Sequence, residues 1–378
     1  MDNQKKTVVI SGINLVNGGP LSVFKDLLDT LKTYSDFEFI CFVHKKDLYK
    51  EYLDLNHFVF IELPLAKKNY LFRFFYEYVY FYFYSKKKHI YTWISMHDMT
   101  PSVKAKYRYV YCHNPTPFAK FGFSNIKYGW QYIMFNKFYK FIYKINIKKN
   151  YRVIVQQQWI KKRFISDLGV SKNQVIVAHP DVNNLNLPLH KLLISSKDSS
   201  KPNTFIFPSF PRFFKNFEVI CKASQYLHDN LGEKRFKVIL TLSEDLNKYS
   251  RDLYKKYNGL DYIKFVGILS RDRLFEYYEM SDCMIFPSYL ETWGMPITEY
   301  KLTEKPMILA DLPYAHETSN GYSKTMYFKY DDYMELAEKM LSIIQQRSIY
   351  VLEKPTTEDS DLYTSWDNLI DFILTQPM

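Results

Sequence analysis

Residues 283–302 read CMIFPSYLETWGMPITEYKL. The apolar run Cys283–Phe286, stopped by Pro287, has the length and character of a strand buried on both faces. Residues 290–295 then form a loop, and Pro296 suits the first turn of a helix, where a missing N–H leaves no bond unmade. Glu291 projects from the loop and Glu299 lies inside the helix, with seven residues between the two carboxylates. One carboxylate in such a place can take both hydroxyls of a ribose, and the other can grip the hydroxyls of a sugar. The unpaired backbone N–H groups around Gly294 and Met295 at the helix start add donors beside them.

The same strand-then-helix pattern repeats on either side. Strand-like runs occupy 204–208, 237–242, 263–266 and 306–310, and helical periodicity covers roughly 216–229, 271–281, 296–302 and 332–346. An earlier series has strands at 7–13, 109–112, 151–155 and 174–178. Its first helix carries Val23, Phe24, Leu27, Leu28 and Leu31 on one face, and a later helix over 157–168 stops at Gly169. Between the two series, residues 184–203 turn polar and irregular, and SSKDSSKPN has the composition of a linker. The predicted architecture is α/β, with two Rossmann-like, doubly wound domains facing a cleft. The first covers 1–185 and the second 186–358, with a crossover helix near 360–375 rejoining the first.

Composition narrows the class. The chain has 378 residues, 47% hydrophobic and 24% charged, enough for two large cores. Residues 1–180 hold 28 Lys and Arg against 12 Asp and Glu, whereas the rest holds 23 against 28. A basic half beside a mildly acidic one suits an anionic partner such as nucleic acid, an anionic bilayer or a phosphate-bearing acceptor. Cys41, Cys112, Cys221 and Cys283 are scattered, without C-x-x-C or zinc spacing, and read as buried free thiols in a reducing compartment. The start, MDNQKKTVVISG, lacks the apolar core of a signal peptide, and no window offers about 20 uncharged apolar residues for a membrane span. A cytoplasmic protein is expected.

Three further features fall at strand ends. Gly18 and Gly19, in NGGP before the first helix, allow close approach of a phosphate to backbone N–H groups, or simply make a tight turn. His113, in YVYCHNPTPF, can donate a hydrogen bond or move a proton, although Pro115 and Pro117 could equally explain a rigid loop. Arg212 and Lys215, in FPSFPRFFKNFEV, stand where the second domain's first strand gives way to its first helix. A guanidinium fork and a mobile ammonium there suit phosphate oxygens, and a solvated pair is the plain alternative.

Together these segments resemble the retaining GT-B glycosyltransferases of family 4, the group 1 type, over nearly the whole chain. The resemblance rests on the G-G loop, the His-x-Pro segment, VIVAHPDVN, the Arg and Lys pair, and Glu-x7-Glu after a strand and Pro-Ser. It implies that Arg212 and Lys215 clamp the donor diphosphate, that Glu291 contacts the donor sugar and that Glu299 binds the ribose. It also implies that backbone at Val266, Gly267 and Ile268 meets the base, and that Thr292, Trp293, Gly294, Met295 and Pro296 meet sugar and phosphates. Gly18 and Gly19 approach phosphate or acceptor, and His113 lies beside the reacting sugar. The implied catalytic set is His113, Glu291, Arg212 and Lys215. The implied donor is a UDP-, GDP- or dTDP-sugar, with no bound cofactor and no metal, since the paired-Asp motif of the metal-using fold is missing. Two departures stand out. The family often has Glu-Gly-Phe-Gly where this chain has Glu291-Thr292-Trp293-Gly294, and the gap from Arg to Lys is three residues rather than the commoner five.

The basic first half acquires a meaning in this setting. Eleven Tyr and Phe lie between Asn69 and Ser85, flanked by Lys67, Lys68, Lys86, Lys87 and Lys88, and a second aromatic stretch begins at Gly129. Rings with flanking ammonium groups suit the headgroup region of a bilayer, or they are core helices with solvated ends. The expected partners are a nucleotide-sugar donor, a saccharide or lipid-linked saccharide acceptor and an anionic membrane surface, with no nucleic acid. The setting implied is bacterial surface polysaccharide assembly, O-antigen or capsule. The rivals are a catalytically inactive GT-B scaffold and a nucleic-acid-binding protein that uses the basic half.

Overall fold

The computed structural model describes residues 5–119, 126–180, 202–351 and 362–376. The chain divides into two compact units, one of Met1–Ala119, Met134–Leu185 and Glu358–Met378, the other of Lys120–Ile133 and Asn186–Thr357. The predicted boundary at 185 and the predicted linker over 184–203, as far as residue 201, lie outside the described residues; Asn203 already belongs to a strand.

The first unit is built on β1 (Lys6–Gly12), β2 (Phe37–Val43), β3 (Phe58–Glu62), β4 (Ile90–Ser95), β5 (Tyr107–Cys112), β6 (Arg152–Val155) and β7 (Val175–Ala178). Its helices are α1 (Gly18–Leu31), α2 (Tyr70–Phe75), α3 (Phe81–Lys86), α4 (Ile126–Lys144) from Met134 onward, and α5 (Gln158–Leu168). A π-turn, Tyr76–Tyr80, joins α2 to α3. Strands such as β1 and β2 are apolar along most of their length because helices cover both sheet faces. Gly12 ends β1 where α1 crosses closely: a Cβ there would stand 2.9 Å from the Phe24 ring.

The second unit holds β8 (Asn203–Phe207), β9 (Phe236–Leu240), β10 (Ile263–Phe265), β11 (Cys283–Phe286), β12 (Met307–Ala310) and β13 (Thr325–Phe328). Around them lie α6 (Phe217–Asp229), α7 (Lys248–Tyr257), α8 (Arg271–Met280), α9 (Met295–Lys301), α10 (Pro313–Ser319) and α11 (Tyr333–Ile344). The chain then returns to the first unit as β14 (Leu362–Tyr363) and α12 (Trp366–Leu374). β14 pairs with β7, and Trp366, Leu369, Ile370, Ile373 and Leu374 are buried in the same core as α1, with Trp366 stacked on Tyr111 at 5.7 Å.

Every strand pairing is parallel. The first sheet runs β14-β7-β6-β5-β4-β1-β2-β3 and the second β10-β9-β8-β11-β12-β13. Each order reverses once, between β1 and β4 in the first unit and between β8 and β11 in the second. At such a reversal the loops leave in opposite directions and open a crevice beyond the carboxyl ends of the strands. All four cysteines are buried, three of them in strands and Cys221 in α6. Among the described residues no helix is long and apolar enough to cross a membrane.

Candidate active site

In the second unit the reversal point is furnished by the loops after β8 and β11. After β8 the chain makes a single 3-10 turn, Phe213–Lys215, with Arg212 as its N-cap. Arg212 keeps an extended backbone, φ −123° and ψ 149°, ahead of the turn. Both cations lie by the Phe214 ring, with Lys215 Nζ 6.0 Å from its centre. Asn216 closes the turn at φ 60°, and its amide donates to the Tyr330 carbonyl at 2.7 Å. Arg212 is exposed, its guanidinium 5.8 Å from the Phe210 and Phe214 ring centres.

After β11 the loop doubles back beneath that turn. The Tyr289 N–H donates to the Phe214 carbonyl at 3.0 Å, tying the two loops. Lys215 Nζ donates to Glu291 Oε1 in an ion pair; Glu291 is only 9% exposed. The cation from one side of the reversal and the carboxylate from the other therefore meet over the crevice.

Trp293 explains how the Glu-Thr-Trp-Gly variant holds its shape. Its ring is buried, its Nε1–H donates to Thr298 Oγ1 at 2.9 Å, and its carbonyl accepts from the Thr318 hydroxyl of α10. Thr292 keeps a negative φ, and only Gly294 enters the left-handed region, at φ 86°. There a Cβ would also press on Ile297 at 3.2 Å. The permissive backbone is needed at Gly294 alone, with Met295 and Pro296 starting α9 directly after it.

Glu299, on α9, faces α8. The Tyr278 hydroxyl donates to its Oε2 at 3.2 Å, and an Arg271 nitrogen lies 3.7 Å from Oε1. Burial pushes its carboxyl above the usual range, against the pull of Arg271 and the Tyr278 hydrogen bond. Elsewhere at the ends of β8 and β9, a pocket of about 190 Å³ is lined by Pro208, Ser209, Phe210, Thr241, Ile268, Leu269 and Leu274. Val266 and Gly267 donate their backbone N–H groups to Leu240 and Leu242, and the Ile268 side chain is exposed at the pocket's edge. Arg271, Tyr278 and the pocket residues Phe210, Thr241 and Leu274 were not among the sequence-predicted site residues. The signal for Arg271 was its place at the start of a helix that follows a strand.

His113, Gly18 and Gly19 belong to the first unit. Gly18 and Gly19 are exposed at the start of α1, and Gly18 takes the left-handed backbone of a tight turn, φ 69°. His113 follows β5 and is held through its backbone. Asp98 Oδ1, just past β4, accepts from the His113 N–H at 2.8 Å, the Asn114 N–H at 3.1 Å and the Tyr143 hydroxyl at 2.8 Å. Asp98 itself is buried at φ 72°, and its Oδ2 is 3.7 Å from His113 Nε2.

Behind Asp98 lies a polar group that sequence reading missed. Arg73 donates to the His97 carbonyl at 2.7 Å and approaches His97 Nδ1 at 3.3 Å. An Arg donor at Nδ1 leaves the ring proton on Nε2, which faces Ser11 Oγ at 3.0 Å and Glu77 Oε1 at 3.2 Å. Burial, reinforced by Arg73, holds His97 well below its ordinary pKa, so the ring is neutral. Burial also pushes Glu77 up to about 8, despite Arg73. The only trace of this group in the sequence is a His-Asp pair directly after an apolar run.

Comparison with known proteins agrees with this geometry. Residues 192–356 match the family model described as glycosyl transferases group 1. Among curated proteins none matches. Among solved structures the fold is similar to WaaG, a glycosyltransferase involved in lipopolysaccharide biosynthesis, at 13% identity and a TM-score of 0.66, over 98% of this chain and 100% of that one. It is also similar to a glycosyltransferase from Rickettsia africae, at 17% identity and a TM-score of 0.61, over 90% and 89%. HepE from Anabaena, solved with UDP-glucose, aligns at 13% identity and a TM-score of 0.61, over 97% and 95%. The chain has the GT-B fold, and its second unit carries the match to the group 1 glycosyl transferase model.

Proposed function

We propose that the protein is a retaining, metal-independent hexosyltransferase that moves a sugar from a nucleotide-sugar donor to a saccharide acceptor carried on a lipid. The observation that carries this reading is the meeting of Lys215 with Glu291 at the β8/β11 reversal, with the Arg212 guanidinium near the same Phe214 ring. In this reading the donor diphosphate takes the Arg212 guanidinium and draws the Lys215 ammonium away from Glu291. The freed carboxylate of Glu291 then accepts hydrogen bonds from the donor sugar. Glu299 accepts from the ribose hydroxyls, and the base enters the apolar pocket at Val266, Gly267 and Ile268. Backbone from Thr292 to Pro296 lies along the sugar and phosphates.

The acceptor hydroxyl attacks the anomeric carbon from the face that the diphosphate leaves. The new C–O bond forms as the bond to the phosphate oxygen breaks, and the acceptor proton passes to that oxygen. Arg212 and Lys215 stabilise the charge growing there, and preorganised cations of this kind are worth several kcal/mol in a water-poor site. His113, fixed by Asp98, would support the developing positive sugar centre or the acceptor, and Gly18 and Gly19 would face the acceptor or phosphate. The donor is a UDP-, GDP- or dTDP-sugar, in keeping with the UDP-glucose bound by HepE. A cytoplasmic enzyme, peripheral on the inner face of the membrane and acting in O-antigen or capsule assembly, fits the lipopolysaccharide role of WaaG.

The test is release of nucleoside diphosphate from a panel of UDP-, GDP- and dTDP-sugars, with and without chelator. One donor should turn over, unaffected by chelator, with the anomeric configuration kept in the product. Turnover at the wild-type rate by folded Glu291→Ala and Lys215→Ala variants would overturn the assignment.

A further inference from the structure

The helical stretch from Tyr70 to Lys86 is turned inside out. Its row at four-residue spacing Arg73, Glu77, Phe81 and Ser85 is buried, whereas the row Leu71, Phe75, Val79 and Phe83 is 79, 50, 42 and 57% exposed. In a pure α-helix a spacing of four drifts by about 40° per step, so such a row would wind away from one face. The wider π-turn at Tyr76–Tyr80 takes back part of the drift and keeps each row on its own side. The outer row is therefore a continuous apolar strip. Single exposed apolar side chains are common, but an apolar strip backed by a buried Arg and Glu is not.

A second exposed row adjoins it. Phe138 of α4 packs edge-on to Tyr70 at 5.9 Å and to Phe74 at 6.2 Å, and Met134, Phe138 and Phe141 are all exposed along α4. Exposed lysines stand at both ends of the strip, Lys67 and Lys68 at one and Lys86, Lys87 and Lys88 at the other. Two of them lie over aromatic rings, Lys68 over Phe72 and Lys88 over Tyr84. Nothing acidic is exposed between Leu65 and His89, since Glu77, the one carboxylate there, is buried.

We propose that this face of the first unit docks on an anionic lipid bilayer, with Leu71, Phe75, Val79 and Phe83 entering the headgroup–acyl boundary. Met134, Phe138 and Phe141 enter beside them, and the flanking lysines meet lipid phosphates. Aromatic and aliphatic groups flanked by ammonium groups match both layers of that boundary, whereas a protein partner would have to supply an apolar groove edged with acid. The proposal takes its purpose from the lipid-linked acceptor, but the docking itself requires no turnover.

The experiment is sedimentation of the full-length protein with phosphatidylcholine vesicles, with or without phosphatidylglycerol. The wild type should bind the anionic vesicles and be released by salt. Phe75→Ser with Phe83→Ser should weaken binding by at least about tenfold. Lys86→Gln, Lys87→Gln and Lys88→Gln together should weaken binding to anionic vesicles by about 100-fold and erase the lipid preference. All substituted side chains are exposed, so thermal unfolding should be unchanged, as should donor turnover on a soluble acceptor. Failure of the wild type to sediment, or unchanged binding by the Phe75/Phe83 variant, overturns the proposal. So does a dimer that this variant dissociates without any vesicle binding, which would make a second copy the occupant. Vesicle binding by a protein that turns over no donor would leave the docking face standing and remove the transferase reading.

Discussion

Lys215 serves two purposes that can be separated by measurement. As the counter-ion of a buried carboxylate it holds the loop after β11, and in the proposed reaction it meets the donor diphosphate. Lys215→Ala should lower turnover by about 100-fold or more, the scale of losing one preorganised charge. It should also cost about 2–3 kcal/mol in urea unfolding, because Glu291 is left buried without its partner. Adding Glu291→Gln should recover most of that stability and none of the turnover. Glu77 offers a second test at this scale, through pH. Its carboxyl is raised from 4.5 to about 8 by burial, so the unfolded chain releases this proton first as pH rises. The stabilisation is complete below pH 4.5 and is lost progressively up to about pH 8, on the order of 5 kcal/mol in all. His97, kept neutral by burial, works the opposite way on the acid side, so the informative comparison is between variants at each pH. Glu77→Gln should gain on the wild type in urea midpoint between pH 5 and pH 8; parallel midpoints would contradict the raised carboxyl. Glu291, Glu299, Arg212 and Lys215 were all legible because their neighbours fix a strand, a loop and a helix start. Asp98, Glu77 and Arg73 were not, because their meaning comes from contacts across β4, β5 and the π-turn that spacing along the chain does not encode.

Among the elements, the aromatic stretch after Asn69 shows why composition alone left two readings open. Bilayer-facing rings and core rings have the same side chains, and a helix with an ordinary period would have sorted them into one stripe. The π-turn instead produces two rows four residues apart, one inside and one outside, which no fixed-period analysis of the sequence separates. Strands β2, β3 and β4 escaped notice because polar residues break up their apolar runs, Glu38 in β2, Glu62 in β3, and Thr92 and Ser95 in β4. The crossover helix, by contrast, was anticipated near 360–375, and α12 spans Trp366–Leu374. Its side of the core can be tested. Trp366 is buried against Tyr111, so Trp366→Ala should cost about 3–5 kcal/mol in the stability of the first unit. Trp366→Phe, which keeps the stacking, should cost under half of that. If the alanine variant lost less than about 1 kcal/mol, the C-terminal return would be an ornament on the fold rather than part of its core.

At the scale of the whole molecule, the chain begins and ends in one unit and spends its middle in another. Two cores of this size need not unfold as one, and a single unfolding free energy is then not defined for the chain. Arg212, Lys215, Glu291 and Glu299, the main proposed donor contacts, lie in the second unit, and the docking strip and Trp366 lie in the first. Ligand that binds only the folded form stabilises by RT ln(1 + [L]/Kd), about 2.7 kcal/mol at a hundred times Kd. Calorimetry of the intact chain with the true donor should therefore move one transition upward, and Trp366→Ala should move the other downward without touching the first. Lys215→Ala should abolish the donor's shift while leaving the effect of Trp366→Ala intact. A donor that shifted every transition equally, with or without Lys215, would show that binding is not confined to the β8/β11 reversal. The assignment of the two glutamates would then fall with it, because their role depends on the diphosphate being held at that point.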